Sequence, residues 1–442
     1  RYTISGGTGS GDVNVKKKYT IEERLEREGF EITSKQWLDK YDQARIEAKK
    51  VFLKEVIKEA KERHENLYAF AMGKEMYEPY YDINLSYEGE AAIYVVSRIS
   101  GEGGDRKTIE GDVYLTKSEI RDILELNKRF DKFMLVLNVG GVVDLSPVME
   151  VENILLLSQL GIDSGKVLAD ILLGKQNPSG KLATTWAKYM DYSHEGTFGD
   201  WNDNIYKEGI YVGYRYFDTF NKPVLFPFGY GLSFTKFEHK VLNVAIDKDI
   251  VTVKINVKNV GQYKGKEDIQ AYLTIPEGTL DKAYQELAGF NKTSELLPGK
   301  DEDIDIIFSL KDLASYDIDI EGYILEAGNY LLRVGNSSKN TKVVAVLSLN
   351  ETVTTLKTRN SLGSIDFEEL KAPNRKDKDI NSLSANTIKR NNLSSVKKRK
   401  KKSGVKPRVK NKSFKANLPL FRCFSSKQIN KKSLNNYNDR YN

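Results

Sequence analysis

Cysteine is almost absent from this sequence of 442 residues, in which Cys423 is the only one. A single thiol excludes an intrachain disulfide and a metal site built from thiolates. Histidine is nearly as rare, and its three positions, His64, His194 and His239, are scattered along the chain. We expect all three at the surface, so the sequence predicts neither a histidine-based nucleophile system nor a metal site. No cofactor is expected either.

Long apolar runs are also missing. No segment approaches the roughly 18 apolar residues of a membrane-spanning helix, so no membrane partner is predicted. The opening residues, Arg1-Tyr2-Thr3-Ile4, contain neither Met nor a signal-peptide pattern. We therefore expect the chain to begin in mid-domain, with any export signal lost along with the preceding region. The compartment stays unknown on this basis, with the cytoplasm favoured.

Positive charge is concentrated at one end of the chain. The formal net charge is +7, but residues 373–442 hold 21 Lys and Arg against three Asp and Glu, so they carry +18 and residues 1–372 carry −11. Lys, Asn and Ser supply 36 of the 70 residues in this tail. Because such a composition cannot bury enough apolar surface to offset the entropy of ordering, we predict a disordered basic tail over 373–442.

The basic tail is compatible with two interpretations. The lysine-rich run over 396–402 has the charge density to bind nucleic-acid phosphates. Neither interleaved aromatic residues nor a folded reader accompanies it, so nucleic acid is not an expected partner. The favoured hypothesis is translation beyond a frameshift near Pro373.

Residues 1–235 alternate helical and strand-like segments, which predicts an α/β domain with an open, mostly parallel sheet sandwiched by helices. Residues 91–97 and 133–138 are nearly continuous apolar runs, as strands buried on both faces must be. Capping boxes at 20–23 and 116–119 predict two helix starts, the second opening the crossover helix between these strands. A further helix over about 34–63 is expected to bury Trp37, Tyr41, Val51 and Phe52.

The hydrophobic period changes to two from about Glu238, which predicts a separate all-β domain over 238–350. One face of a strand carries Val251, Val253, Ile255 and Val257, and further strand-like runs lie near 268–275, 303–309, 328–335 and 341–349. Turn signals separate these runs, which indicates a small sandwich. Residues 351–372 are predicted to be a linker.

An acidic, glycine-rich segment, SGEGGDR at 100–106, directly follows the strand predicted at 91–97. Ligand sites in open α/β sheets lie at the carboxyl ends of the strands. Taken alone, a glutamate among glycines more often lies in a solvated turn. Asp105 and Arg106 are expected to anchor the loop. A second glycine-rich segment, GGTGSGD at 6–12, lacks the lysine of a phosphate-binding P-loop, so a nucleotide site is the lesser alternative.

These two segments do not stand alone. In the same order the chain carries NPSGKL at 177–182, EGIYVGYRYF at 208–217 and FPFGYGLSF at 226–234. Together they resemble the α/β sandwich domain of β-glucosidases of glycoside hydrolase family 3. NVG at 259–261, GKE at 265–267, ELAGF at 286–290 and LPG at 297–299 resemble that family's fibronectin type III-like domain. The resemblance covers residues 1 to about 350.

The resemblance implies a retaining exo-glycosidase that acts on a β-linked glucoside or oligosaccharide through a covalent glycosyl-enzyme. In this family a barrel aspartate attacks the anomeric carbon, a glutamate of the sandwich domain protonates the leaving oxygen, and the two carboxyl groups stand roughly 5 Å apart. Matching the motifs residue by residue, that general acid/base is Glu102, and Ser10 matches a position that contacts the sugar. The 214–216 and 226–234 segments are interpreted as packing between domains.

The chain departs from the family in having no room for a (β/α)8 barrel, which takes about 250 residues. The catalytic nucleophile is therefore expected outside this chain, and the missing barrel is its expected partner. Asp200, in Gly199-Asp200-Trp201, resembles the family's nucleophile motif but lies downstream of Glu102 and is rejected. Truncation, gene misprediction and a split enzyme remain open. The chain alone is predicted to be inactive, and the alternative function is a non-catalytic carbohydrate-binding or interaction remnant.

Overall fold

A computed structural model describes residues 20–71, 74–99, 106–193, 202–361, 367–373 and 387–390. The first part of the chain is mainly helical around a small sheet, and the second part is almost entirely strand. Its helices are α1 (Ile21–Arg27), α2 (Lys35–Glu62), α3 (Leu67–Ala71), α4 (Lys117–Arg129), α5 (Ser164–Leu172) and α6 (Tyr214–Thr219), with 3₁₀ turns at Ser146–Val148, Gly161–Asp163, Tyr189–Asp191 and Leu310–Leu313.

The first sheet is parallel and contains β1 (Ala92–Arg98), β2 (Phe133–Val139) and β3 (Ile154–Leu156) in that order. Ala92 pairs with Phe133, and Leu135 pairs with Ile154. The apolar runs predicted as strands are thus confirmed as neighbouring parallel strands. The crossover from β1 to β2 contains α4, as the capping box at its start predicted.

Helices cover both faces of this sheet. Leu135 and Leu137 share a core with Ile123 of α4. Val136, one residue out of step with them, packs with residues of α1 and α5 on the opposite face. Because successive side chains of a strand point to opposite faces, a strand covered on both sides must be apolar at nearly every position. The predicted α/β class is confirmed.

Both predicted capping boxes are formed. In α4 the Thr116 hydroxyl accepts a hydrogen bond from Glu119 N at 3.2 Å, and the Glu119 carboxylate accepts one from Thr116 N at 2.8 Å. In α1 the same exchange links Thr20 and Glu23. Each box satisfies two amide groups that the first helical turn cannot pair internally.

Replacing Thr116 with Ala is expected to lower the free energy of unfolding of the α/β region by about 1 kcal/mol, because one amide of α4 loses its acceptor. Urea unfolding followed by tryptophan fluorescence measures this, since all three tryptophans precede residue 235. The control is Thr116→Ser, which keeps the hydroxyl. Equal stability of the Ala and Ser variants would contradict the capping role.

Helix α2 buries only part of the predicted set. Trp37 is buried and stacks on Tyr41 with ring centroids 5.3 Å apart. Phe52 packs, partly buried, on a small cluster with Val56 and Ala60. Val51 is 55% exposed, so its predicted burial is wrong. The apolar period of the sequence continues through Val51, but no described element covers that side of the helix.

The second part of the chain forms a β-sandwich. Its strands are β4 (Phe237–Asp247), β5 (Ile250–Asn259), β6 (Asp268–Thr274), β7 (Glu286–Lys292), β8 (Asp301–Ser309), β9 (Ser315–Asp317), β10 (Gly322–Leu325), β11 (Gly328–Ser337), β12 (Asn340–Leu349), β13 (Val353–Lys357) and β14 (Thr387–Arg390). One sheet has the order β4-β5-β8, a second β14-β12-β11-β6-β7 and a third β13-β10-β9. All pairs are antiparallel except β12 with β14. The predicted alternation along β5 is confirmed, because Val251, Val253, Ile255 and Val257 are all fully buried between the sheets.

The segment predicted as a linker, 351–372, contains a strand. Residues of β13 pair with β10, so this edge of the sheet extends beyond Asn350. Farther along the chain, Leu370 N donates a hydrogen bond to Lys207 O at 2.7 Å, so this part of the segment contacts the α/β region. In the predicted tail, only 373 and the four residues of β14 are described, so its disorder stays a prediction.

Candidate active site

The carboxyl edge of the parallel sheet is where the sequence places the candidate acid. Strand β1 ends at Arg98, and the segment 100–105, which contains Glu102, follows directly. Glu102 itself lies outside the described residues, and so do Ser10 and the rejected Asp200. What the structure describes is the framework on each side of Glu102.

Arg98 is a buried cation at the end of β1. It is 3% exposed and forms a two-pronged ion pair with Glu119, with Nη1–Oε1 at 2.9 Å and Nη2–Oε2 at 2.7 Å. Its Nε donates to the carbonyl of Asp112 at 2.8 Å. Burial lowers the pKa of Arg98, but the Glu119 charge and hydrogen bonds more than offset this, so the pKa is raised overall. Arg98 is therefore a fixed positive charge, since arginine is protonated at any physiological pH.

Asp112 binds the residues that come directly after the segment 100–105. Its carboxylate accepts hydrogen bonds from Arg106 Nε and, at 2.5 Å, from Lys107 N. The residue is 4% exposed. Arg106 anchors the loop as the sequence predicted, although its described partner is Asp112, while Asp105 lies outside the described residues. One buried residue thus contacts both flanks of the segment.

The ends of β2 and β3 are tied to the same edge. Asn138, in β2, donates from Nδ2 to the carbonyl of Ser158 at 2.6 Å. Gln159 Nε2 donates to the carbonyl of Arg98 at 3.3 Å. These two bonds link the residues that follow β3 to the ends of β2 and β1. The carboxyl edge of the sheet is therefore held together by side-chain hydrogen bonds.

Acidic and phenolic groups of the 75–78 segment lie beside Asp112, and the sequence analysis missed them. Burial, and then the charge of Asp112, raise the pKa of Glu75 and of Tyr77. Burial also raises the pKa of Glu78, which accepts a 2.5 Å hydrogen bond from Tyr41 and lies 3.4 Å from Arg45. The one signal in the sequence is that Glu78 precedes Pro79, because a proline restricts the backbone of the residue before it.

The described residues contain neither a metal-binding cluster nor a membrane-spanning helix. Within the described ranges, no group of three or more His, Cys, Asp or Glu side chains is placed to hold a metal ion. None of the described helices is both long and apolar enough to cross a membrane. His64 and His239 are exposed, as expected, and His194 lies outside the described residues.

Comparison with known proteins adds the family. A profile described as the glycosyl hydrolase family 3 C-terminal domain matches residues 2–234, more than half of the chain. The chain belongs to glycosyl hydrolase family 3. A second profile, described as a fibronectin type III-like domain, matches residues 267–338 in the sandwich.

Relatives in glycosyl hydrolase family 3 are longer than this chain. It is 35% identical over 304 residues to β-glucosidase A of Butyrivibrio fibrisolvens, covering 58% of this chain and 37% of the relative. It is 37% identical over 272 residues to a β-glucosidase of Ruminococcus albus, covering 60% and 29%. The chain thus spans well under half of these curated relatives.

Solved structures of family 3 enzymes share the fold. A β-glucosidase from Paenibacillus barengoltzii superposes with a TM-score of 0.72 at 31% identity, covering 85% of this chain and 42% of that one. β-Glucosidase 3B from Thermotoga neapolitana, in complex with glucose, gives 0.66 at 36% identity, covering 79% and 49%. These matches confirm the fold class, an α/β domain followed by a fibronectin type III-like sandwich.

Residues of three family 3 motifs, at 177–182, 208–217 and 226–234, take part in the packing of the α/β region against the sandwich. Tyr214 stacks on Phe228 at 4.7 Å and accepts a hydrogen bond from Leu287 N in β7 at 2.8 Å. The Asn177 carboxamide accepts from Phe234 N at 2.9 Å and donates to the carbonyl of Lys264 at 2.9 Å. The interpretation of 214–216 and 226–234 as packing between domains agrees with these contacts.

Proposed function

We propose that this chain is the part of a retaining, exo-acting β-glucosidase that supplies the general acid/base. Glu102 protonates the departing glycosidic oxygen and later activates water. The nucleophile belongs to a (β/α)8 barrel outside residues 1–442, and the substrate is a β-linked glucoside or oligosaccharide. Ser10 contributes a hydroxyl contact to the sugar.

The observation that carries the proposal is the position of the Glu102 segment. In the sequence it comes just after Arg98, the last residue of the parallel strand β1, and ligands of open α/β sheets bind at the carboxyl ends of such strands. The names of the relatives support the reaction class, and the solved complex with glucose supports a glucosyl ligand.

The chemistry explains why a single carboxyl is not sufficient. A carboxyl that serves as acid must be protonated before cleavage and ionised afterwards, and a neighbouring carboxylate nucleophile raises its pKa for the first step. General acid–base catalysis contributes about 10²–10⁴-fold, whereas enzymes reach about 10⁶–10¹⁷-fold in total. Most of the rate therefore depends on the nucleophile and on groups that position the sugar.

The purified chain is accordingly expected to hydrolyse 4-nitrophenyl β-glucoside no faster than its Glu102→Ala variant. Adding a separately expressed barrel from a family 3 relative is expected to restore turnover with the wild-type chain and not with the variant. Spectrophotometric release of nitrophenolate measures both.

Two outcomes would overturn the proposal. Turnover by the chain alone that Asp200→Asn abolishes would make the rejected aspartate a nucleophile. Binding of glucose by the purified chain alone, with no turnover when the barrel is added, would favour the alternative of a non-catalytic carbohydrate-binding remnant.

A further inference from the structure

We propose that Asp112 is a positioning residue that holds both ends of the segment carrying Glu102. The inference rests on the proposed function, since it concerns how the acid is held and not whether it is the acid. It is drawn from the described flanks at 98–99 and 106–112.

The first flank is held through the backbone of Asp112. Its carbonyl accepts the 2.8 Å hydrogen bond from Arg98 Nε, while both Nη atoms of Arg98 are paired with Glu119. The guanidinium therefore has a fixed orientation, and so does the end of β1 from which the segment departs. A displacement of Asp112 would remove the donor–acceptor pair that links this strand end to the turn.

The second flank is held through the side chain of the same residue. Its two carboxylate oxygens are divided between Arg106 and the backbone of Lys107, one oxygen for each. Charge-assisted hydrogen bonds of this kind are roughly twice as strong as neutral ones. Arg106 Nη2 is buried without a hydrogen-bond partner in the described part of the chain, so Asp112 is the contact that fixes this guanidinium.

The turn that carries Asp112 is itself rigid. Gly111 has φ +84°, and a Cβ built on it would lie 2.3 Å from the carbonyl oxygen of Glu78. Gly111 also exchanges backbone hydrogen bonds with its surroundings, donating to Tyr114 O at 2.9 Å and accepting from Glu78 N at 2.9 Å. Only glycine fits this close approach. The position of Asp112 is thus fixed by the backbone contacts of Gly111 with Glu78 and Tyr114, which do not involve the segment 100–105.

Asp122 offers a matched control. It is a second fully buried aspartate that binds an arginine, with Oδ1 2.8 Å from Arg121 Nε and Oδ2 accepting from Tyr81 at 3.0 Å. It lies on α4 and contacts neither flank. Asp122→Asn therefore removes a comparable carboxylate without releasing the segment.

The test compares leaving groups in a fusion of the full chain to a family 3 barrel. Asp112→Ala is expected to lower kcat/KM for methyl β-glucoside about tenfold more than for 2,4-dinitrophenyl β-glucoside, because only the first needs a proton delivered by a well-placed acid during glycosidic cleavage. Asp112→Asn, which keeps one acceptor oxygen, is expected to fall between. Asp122→Asn is expected to affect both substrates equally.

A structural measurement on the unfused chain accompanies the kinetics. Hydrogen exchange of the Lys107 amide is expected to accelerate at least tenfold in Asp112→Ala and to stay unchanged in Asp122→Asn. An unchanged ratio of leaving-group rates in Asp112→Ala would overturn the inference if Glu102→Gln still changes that ratio. If Glu102→Gln does not change it either, the proposed function fails instead, so the two failures are distinguishable.

Discussion

Replacing Glu119 with Ala is expected to lower the free energy of unfolding of the α/β region by about 3–5 kcal/mol. The pair that it forms with Arg98 is almost completely removed from water, with 3% and 4% of the two side chains exposed. Removing Glu119 leaves the buried guanidinium of Arg98 without its hydrogen-bonded carboxylate, so most of the desolvation cost is no longer offset. Urea unfolding followed by tryptophan fluorescence measures the loss.

Two comparisons separate the contributions. Glu119 also closes the capping box of α4 by accepting from Thr116 N, and Thr116→Ala, which removes the other bond of the box, gives the scale of one capping bond at about 1 kcal/mol. On the same helix, Glu125 forms an exposed pair with Arg129 at 3.1 Å, and Glu125→Ala is expected to change stability by no more than about 0.5 kcal/mol.

The double variant Arg98→Met, Glu119→Leu gives the sharpest check on the electrostatic explanation. A buried ion pair replaced by apolar side chains of similar volume often costs little. The double variant is therefore expected to be more stable than Glu119→Ala. If the double variant were instead less stable than Glu119→Ala, packing around Glu119, and not the unpaired charge of Arg98, would determine the loss of stability.

The parts of the fold that the sequence predicted are those encoded by neighbouring residues. The strands β1 and β2 show as unbroken apolar runs because both faces are covered, and the capping boxes lie within four consecutive residues. The alternation along β5 is equally local. Each of these patterns lies in consecutive residues, so it can be recognised without knowing which element packs against which.

The parts that it missed depend on distant contacts. Residues 353–357, Val-Thr-Thr-Leu-Lys, include β-branched residues that favour strands, but the run is short, and the edge of β10 supplies the hydrogen bonds that make it β13. Val51 continues an apolar helical period, but its burial depends on whether another element covers it. Local propensity is a weak prior in both cases, and tertiary context decides.

The candidate site shows the same division. The glycine-rich acidic segment and its place after β1 are readable from the sequence, and the prediction that Glu102 is the acid comes from the resemblance of this segment to the family motif. The role of Asp112 is not readable, because Glu-Gly-Asp at 110–112 has the composition of an exposed turn. Its burial follows from the packing of 74–78 against this turn, through the backbone contact between Gly111 and Glu78.

Replacing Glu102 with Gln in a fusion to a family 3 barrel is expected to have the largest kinetic effect. Gln has nearly the same shape but cannot transfer a proton, so the variant loses the acid-catalysed part of glycosidic cleavage. For methyl β-glucoside, whose alkoxide is a poor leaving group, the expected loss in kcat/KM is about 10²–10⁴-fold. For 2,4-dinitrophenyl β-glucoside, whose phenolate leaves without protonation, the expected loss is much smaller.

The ratio of these two losses is the most direct measurement of the claim that Glu102 is the general acid of a family 3 site. Both rates are measured on the same purified protein, so errors in concentration or folding cancel in the ratio. We predict that Glu102→Gln changes the ratio at least about tenfold, and that Glu125→Gln leaves it unchanged. Equal losses on the two substrates would contradict the assignment. An acid that protonates the leaving oxygen contributes most to the rate of the substrate with the poorer leaving group.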